Sequence, residues 1–316
     1  MSNLSPERLL RSGQALWSAY LLQAALELGV FSELGRGPRS RAQLQRRLSL
    51  REPGVDELLD ALVGLGWLER EGDDEQAVYM NSRETGHYLD ARSAASFGHW
   101  LRDAFVSATP VARSLIGALR GDTPWPSLPL PEPALHAWAV LVGDALAQRL
   151  SFAGDRLVLG RGAGAAHTLC ALAAALPHLH AVALVVPHDV ASARDHIGAS
   201  GLSGRVRAQV RPDRGSADAV VVNRWWPASD RSEGDLAAAR AALRADGRLL
   251  WVDHWLDDTR RHSAPALMAV LRRRLAGDAP HTDTVQAAHE RCLAEGFGRT
   301  EWAPLGGGLS VVQAFV

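Results

Sequence analysis

Residues 157–166 read LVLGRGAGAA: an apolar run, then Gly160, Gly162 and Gly164 at alternate positions, then alanines. An apolar strand that ends in spaced glycines and leads into an Ala-rich helix is the local pattern of a nucleotide cradle in an α/β fold. Whether a cofactor still uses this cradle depends on the residues around it.

Outward from that stretch, short apolar strands alternate with helical segments. RLVLG is a buried strand, AAHTLCALAAALP a helix, AVALVV a strand and VASARDHIGASG a helix. RVRAQV and ADAVVVN follow as strands, DLAAARAALRADG as a helix and GRLLWVD as a strand. This alternation predicts a doubly wound parallel sheet over residues 151–316. Ligands of such sheets sit beyond the carboxyl ends of the strands, here near 160–164, 185–189, 223–227 and 253–256. Residues 91–150 read as largely helical, broken by a Pro-rich loop or linker at 123–133.

The first 90 residues have a different rhythm. Residues 14–35 carry apolar positions at i, i+3, i+4 and i+7, predicting an amphipathic helix that ends at Gly29. SRAQLQRRLSL and EPGVDELLDALVGLGWLERE then predict helix, turn, helix, with Leu58, Leu59, Leu62 and Val63 on one face. WLEREGDDEQAVYMNS predicts two short strands around an acidic turn, so the arrangement is a winged helix. Its second helix, VDELLDALVG, carries Asp56, Glu57 and Asp60 and no cation, the wrong sign for a phosphate-lined groove. Dimerisation is the expected role.

The 316 residues are 47% apolar, enough for two cores, and 34 Lys+Arg against 35 Asp+Glu leave a net charge of −1. That balance offers no field for nucleic acid or an anionic membrane, so a small-molecule substrate is expected. Cys170 and Cys292 are too few for a disulfide framework, and no 18-residue apolar span or signal-like amino terminus is present, which predicts a cytoplasmic protein.

Several segments in this order are similar to one family. ALELGVFSELGRGPRSRAQLQRRL, LLDALVGLGWLERE, YMNSRETGHYLD, GRGAG, GRLLWVDHWLDD and HTDTVQAAHERCLAEGF together resemble the S-adenosylmethionine-dependent O-methyltransferases. The resemblance covers nearly the whole chain. It implies a Rossmann-like catalytic domain behind an α-helical winged-helix dimerisation domain, and a homodimer acting on aromatic or polyketide-like small molecules.

Against the family pattern, the chain departs at two sets of positions. The acidic residue expected before the glycines is replaced by Val158 and Leu159, and the Asp expected to grip the ribose hydroxyls is Val185, in Leu184-Val185-Val186-Pro187. A third acidic position falls near Arg211-Pro212, with Asp213 one step further. A carboxylate–hydroxyl bond contributes about 1.5–3 kcal/mol, against the ~8 kcal/mol of a micromolar ligand. These losses predict that Gly160, Gly162, Gly164 and Val185 form a vestigial cofactor site, with no cofactor bound. The family's general-base His aligns with Arg224, which is always protonated. The carboxylate that orients that His persists as Asp253, either as a catalytic group or in a structural ion pair with Arg224, while a second family Glu is Pro280.

Arg224, Asp253 and His254 are therefore the candidate catalytic residues. His99, Trp100, Phe105, Trp225, Trp226, Trp255 and Met268 are the candidate substrate-binding residues, on the topology the resemblance implies. No metal site is expected: His178, His180 and His188 flank the second strand at opposite ends. His281 and His289 are expected to face solvent, as is the basic run RRRLAG at 272–277. The first expectation for function is cyclisation or isomerisation of a polyketide-like intermediate without S-adenosylmethionine. The alternatives are an O-methyltransferase that holds the cofactor through unusual contacts, and a catalytically silent dimer partner or ligand-binding protein.

Overall fold

The computed structural model describes residues 6–51, 53–72, 76–93, 95–122, 132–162, 164–224, 234–261, 263–275 and 284–316. The chain divides into two compact units, Met1–Arg113 and Ser114–Val316.

In the first unit, α1 (Glu7–Leu28) stops at Gly29, whose φ of 77° only glycine adopts without cost, and α2 (Val30–Leu34) restarts at once. β1 (Arg39–Ser40) leads into α3 (Arg41–Arg47) through a capping box, in which the Ser40 side chain accepts from the Gln43 amide and the Gln43 side chain accepts from that of Ser40. α4 (Val55–Gly64) presents Val55, Leu59 and Leu62 inward at helical spacing. β2 (Leu68–Glu71) and β3 (Val78–Asn81) form the antiparallel wing, with β1 added on the far side of β3. α5 (Arg83–Tyr88) is capped by Ser82, and α6 (Gly98–Arg120) runs across the boundary between the units.

The core of this unit joins Phe31, Leu34, Leu44, Leu59, Leu62, Leu68 and Tyr79. The acids of α4 are occupied within the chain: Asp56 pairs with Arg41, and Asp60 with Arg70 at 3.3 Å. In contrast, α1 leaves Leu9, Leu16, Trp17 and Tyr20 at least half exposed, with Trp17 at 71%.

The second unit opens with α7 (Glu132–Arg149) and continues β4 (Leu157–Gly162), α8 (Ala165–Ala175), β5 (His180–Leu184), α9 (Val190–Ala199) and β6 (Val206–Gln209). Then come β7 (Ala217–Asn223), α10 (Gly234–Ala242), β8 (Leu243–Asp253), α11 (Ala264–Leu275), α12 (Val285–Ala294), β9 (Arg299–Gly306) and β10 (Leu309–Phe315). The sheet order is β6-β5-β4-β7-β8-β10-β9, parallel from β6 to β8, with β10 antiparallel to both of its neighbours. The order reverses between β4 and β7, which places a switch point directly after the glycine-bearing strand.

Strand β7 is buried at every position, as a central parallel strand covered on both faces must be. Buried Asp218 on β7 accepts from the Arg156 and Leu157 amides at 2.6 and 2.7 Å, which anchors the start of β4. Strand β8 begins four residues before the predicted GRLLWVD strand, where a helix was expected to continue. Leu243 pairs with Ala217 and is buried in the core, and Arg244 bonds Asp218, so packing and charge draw these residues into the sheet. Among the described residues, no helix is long and apolar enough to cross a membrane.

Candidate active site

The glycines of the opening stretch each have a steric reason. A Cβ on Gly160 would lie 2.8 Å from Leu169 Cδ1, so this glycine lets α8 settle on β4. A Cβ on Gly162 would lie 2.3 Å from the Asn223 carbonyl oxygen, and its φ is +89°. Gly164 caps α8 in the left-handed region at φ 69°. These demands come from the fold and hold with or without a ligand. The turn also leaves the first amides of α8 at the carboxyl edge of the sheet, where a helix amino terminus offers N–H donors.

Asn223, at the end of β7, braces this turn. Its side-chain amide donates to Thr168 Oγ1 at 2.9 Å, and both residues are buried. Neither was among the sequence candidates. The available signal was the polar residue ending the apolar run AVVV at 219–222.

At the end of β5, Val185 is half-buried and Val186 is 50% exposed. The first carboxylate beyond them is Asp189, exposed, with His188 Nε2 3.6 Å from its Oδ1. Asp213 is exposed in the turn after β6, and its carbonyl accepts from the Ser216 hydroxyl. The described residues therefore fit the backbone part of a nucleotide site, at 160–162, Gly164 and the start of α8. At the ribose position the side chain is aliphatic.

Beyond β7 and β8 lie the candidate catalytic residues. Arg224 is 6% exposed and its guanidinium stands over the Trp251 ring, 4.9 Å from the centroid. Asp253, 4% exposed, does not pair with Arg224. Its carboxylate accepts from Arg273 Nη1 at 2.7 Å and from the His254 amide at 2.7 Å, with His254 Nδ1 3.9 Å away. The expected Asp253–Arg224 ion pair is thus replaced by Asp253–Arg273.

Arg273 comes from the basic run expected to be a solvated face. Ala266, Val270 and Arg273 share one buried stripe of α11, so the helical period turns the middle arginine inward while Arg272 stays exposed. The pairing was hidden because Arg273 looked like its exposed neighbour.

Among the substrate-binding candidates, Trp255 is corrected by the structure. It is 3% exposed, packs edge-on to Trp251 with ring centroids 4.7 Å apart, and donates its indole N–H to the Trp251 carbonyl at 3.1 Å. It belongs to the core, because burial with a satisfied N–H is the favourable state for indole. Met268 is 58% exposed on α11. His99, Trp100 and Phe105 lie on α6 within the first unit, where His99 contacts Arg102 and Trp100 packs on Phe97. Trp225, Trp226, Pro280 and His281 fall outside the described residues. His289, expected to face solvent, is half-buried and bonds Thr300.

The histidines singled out in the sequence stay apart: His178 bonds the Phe152 carbonyl, and His180 and His188 are exposed at the two ends of β5. Another trio, His136, His167 and His196, comes together on α7, α8 and α9. Burial, and then the neighbouring imidazoles, push the pKa of His167 down to about 3. Burial, followed by His136, also lowers that of His196. No sequence motif links residues so far apart.

A switch-point glycine turn in a sheet with this order, behind a helix-and-wing unit, defines a methyltransferase-type Rossmann protein with an amino-terminal dimerisation domain. The comparisons agree. Residues 12–90 match the family model of the O-methyltransferase dimerisation domain. The chain is 27% identical to 3-hydroxy-5-methyl-1-naphthoate 3-O-methyltransferase of Streptomyces sahachiroi, covering 80% of this chain and 78% of that one. It is 28% identical to the tetracenomycin polyketide synthesis 8-O-methyl transferase TcmO of Streptomyces glaucescens, covering 86% of each. Human N-acetylserotonin methyltransferase, solved in complex with S-adenosylmethionine, superposes with a TM-score of 0.71 at 20% identity, over 99% of this chain and 98% of that one. Residues 12–90 thus match an O-methyltransferase dimerisation domain, and the chain as a whole is similar in sequence and fold to S-adenosylmethionine-dependent O-methyltransferases.

Proposed function

We propose that this chain is an S-adenosylmethionine-dependent O-methyltransferase that acts, as a homodimer, on a phenolic or enolic hydroxyl of a polyketide-like molecule. The observation that carries this reading is the glycine turn of residues 160–164 at the switch point, in a chain whose near-full-length relatives are named for O-methyl transfer to such molecules. It displaces the first expectation, a cyclase without a cofactor, from the leading place.

When bound, the cofactor supplies an electrophilic methyl group. The residues that would hold it are the backbone of Gly160, Arg161 and Gly162, Gly164 and the first turn of α8. Arg224, permanently charged, favours the ionised form of the acceptor hydroxyl and does not take its proton. The remaining candidate base is His254, half-buried beside Asp253, whose carboxylate stabilises an imidazolium. The dimerisation domain and the exposed apolar stripe of α1 support the homodimer.

The test is calorimetric titration with S-adenosylhomocysteine. Saturable binding is expected, tightening by about 10–100-fold in Val185→Asp, where a carboxylate regains hydrogen bonds to the ribose. No heat from either protein at millimolar ligand would overturn the reading. That outcome would return the site to cofactor-independent cyclisation or isomerisation, the second reading, which Val185 and Arg224 favour.

A further inference from the structure

We propose that His136, His167 and His196 form a site for a divalent transition-metal ion of the zinc type, with one imidazole nitrogen from each of three helices. The three rings lie on α7, α8 and α9, and their ligand atoms are all within 4.8 Å of one another. Ring centroids are 4.8 Å apart for His136–His167, 5.1 Å for His136–His196 and 3.8 Å for His167–His196. A tetrahedral ion with bonds of about 2.0–2.1 Å spaces its nitrogens about 3.3 Å apart. Side-chain rotation closes a gap of this size without moving a helix.

The helices are held in the register that creates the trio. Gly143 lies two turns along α7 from His136, and a Cβ there would be 2.5 Å from the Thr168 carbonyl oxygen and 2.7 Å from Ala171 Cβ. The backbones of α7 and α8 therefore touch beside His167. Helix α9 packs in turn against α8, and the Ser200 hydroxyl at its end donates to the His196 carbonyl at 2.9 Å. Each histidine sits on a helix whose position is fixed by contacts other than its own.

The donor set selects the ion. Three imidazoles suit zinc, cobalt, nickel and copper, and lack the oxygens that magnesium and calcium need. All three side chains are half-buried, so solvent can supply a fourth ligand. A bound ion would tie together the helices before and after β4 and the helix after β5. It would thereby stiffen α8, which starts at the glycine turn. The site is independent of the proposed methyl transfer.

The experiment uses the full chain without a histidine tag, stripped with chelator. Zinc is titrated calorimetrically, cobalt is titrated by its visible ligand-field absorption, and melting is followed with and without zinc. One zinc per chain is expected, with a tetrahedral cobalt spectrum. The melting midpoint should rise by about 5–10 °C at a hundredfold excess over Kd. His136→Gln and His196→Gln, on separate helices, should each weaken binding at least tenfold, whereas His178→Gln and His188→Gln should leave it unchanged. If His167→Gln does not fold, the other two ligand variants carry the test. Absence of binding, or binding indifferent to both His136→Gln and His196→Gln, would overturn the proposal.

Discussion

The pairing of Asp253 with Arg273 makes a quantitative prediction. Both side chains are 5% exposed and their charged atoms are 2.7 Å apart. At an effective dielectric of about 20 the attraction is roughly 6 kcal/mol, of the same order as the cost of desolvating two ions. The net contribution of the intact pair is therefore small, while breaking it is expensive. Asp253→Asn removes the charge 2.7 Å from a buried guanidinium, and Arg273→Met leaves a buried carboxylate held mainly by the His254 amide. Each single variant should lose about 3–5 kcal/mol. The double variant removes both charges and should lie closer to the parent than the sum of the singles, a coupling of about 2 kcal/mol or more. Urea unfolding followed by tryptophan fluorescence measures this, since Trp251 and Trp255 lie on the same strand end. With a slope of about 2 kcal/mol/M, each single should shift the midpoint by about 1.5–2.5 M. Singles costing under about 1 kcal/mol, with additive effects in the double, would refute the buried pair.

Three further outcomes are expected. Gly162→Ala should destabilise by at least about 2 kcal/mol, because its Cβ meets the Asn223 carbonyl oxygen at a positive φ; Gly160→Ala, which meets only the Leu169 side chain, should cost less, and chemical denaturation of both variants orders them. In metal-free protein, His167 is neutral when folded and has its ordinary pKa of 6.5 when unfolded, so the unfolded state binds the extra proton. Stability should then fall as pH drops from about 6.5 towards 3, by up to about 5 kcal/mol, and His167→Gln should flatten that slope in a pH series of urea midpoints. Trp17→Glu, which puts a charge into the exposed stripe of α1, should convert the dimer to monomer in sedimentation velocity, and an unchanged mass would discount that face as the interface.

Much of this protein is legible in its sequence, because much of it is governed by local rules. The stop of α1 at Gly29, the capping box at Ser40, the two-stranded wing and the strand–glycine–helix turn each depend on residues within a few positions of one another. Periodicity and capping report such features directly. The order of these elements was enough to suggest the family, and the acidic surface of α4 was enough to disfavour DNA. Tertiary structure decided which side chains meet. Arg273 replaced Arg224 as the partner of Asp253, because the stripe of α11 that faces inward includes one arginine of three. Trp255 became core because it joins a buried cluster with Ala288, Cys292 and Val312. Asn223 and Thr168, 55 residues apart, brace the glycine turn. His136, His167 and His196 meet only because three helices pack side by side. A local pattern fixes the face on which a residue lies, but the neighbour across that face is set by packing of segments distant in sequence.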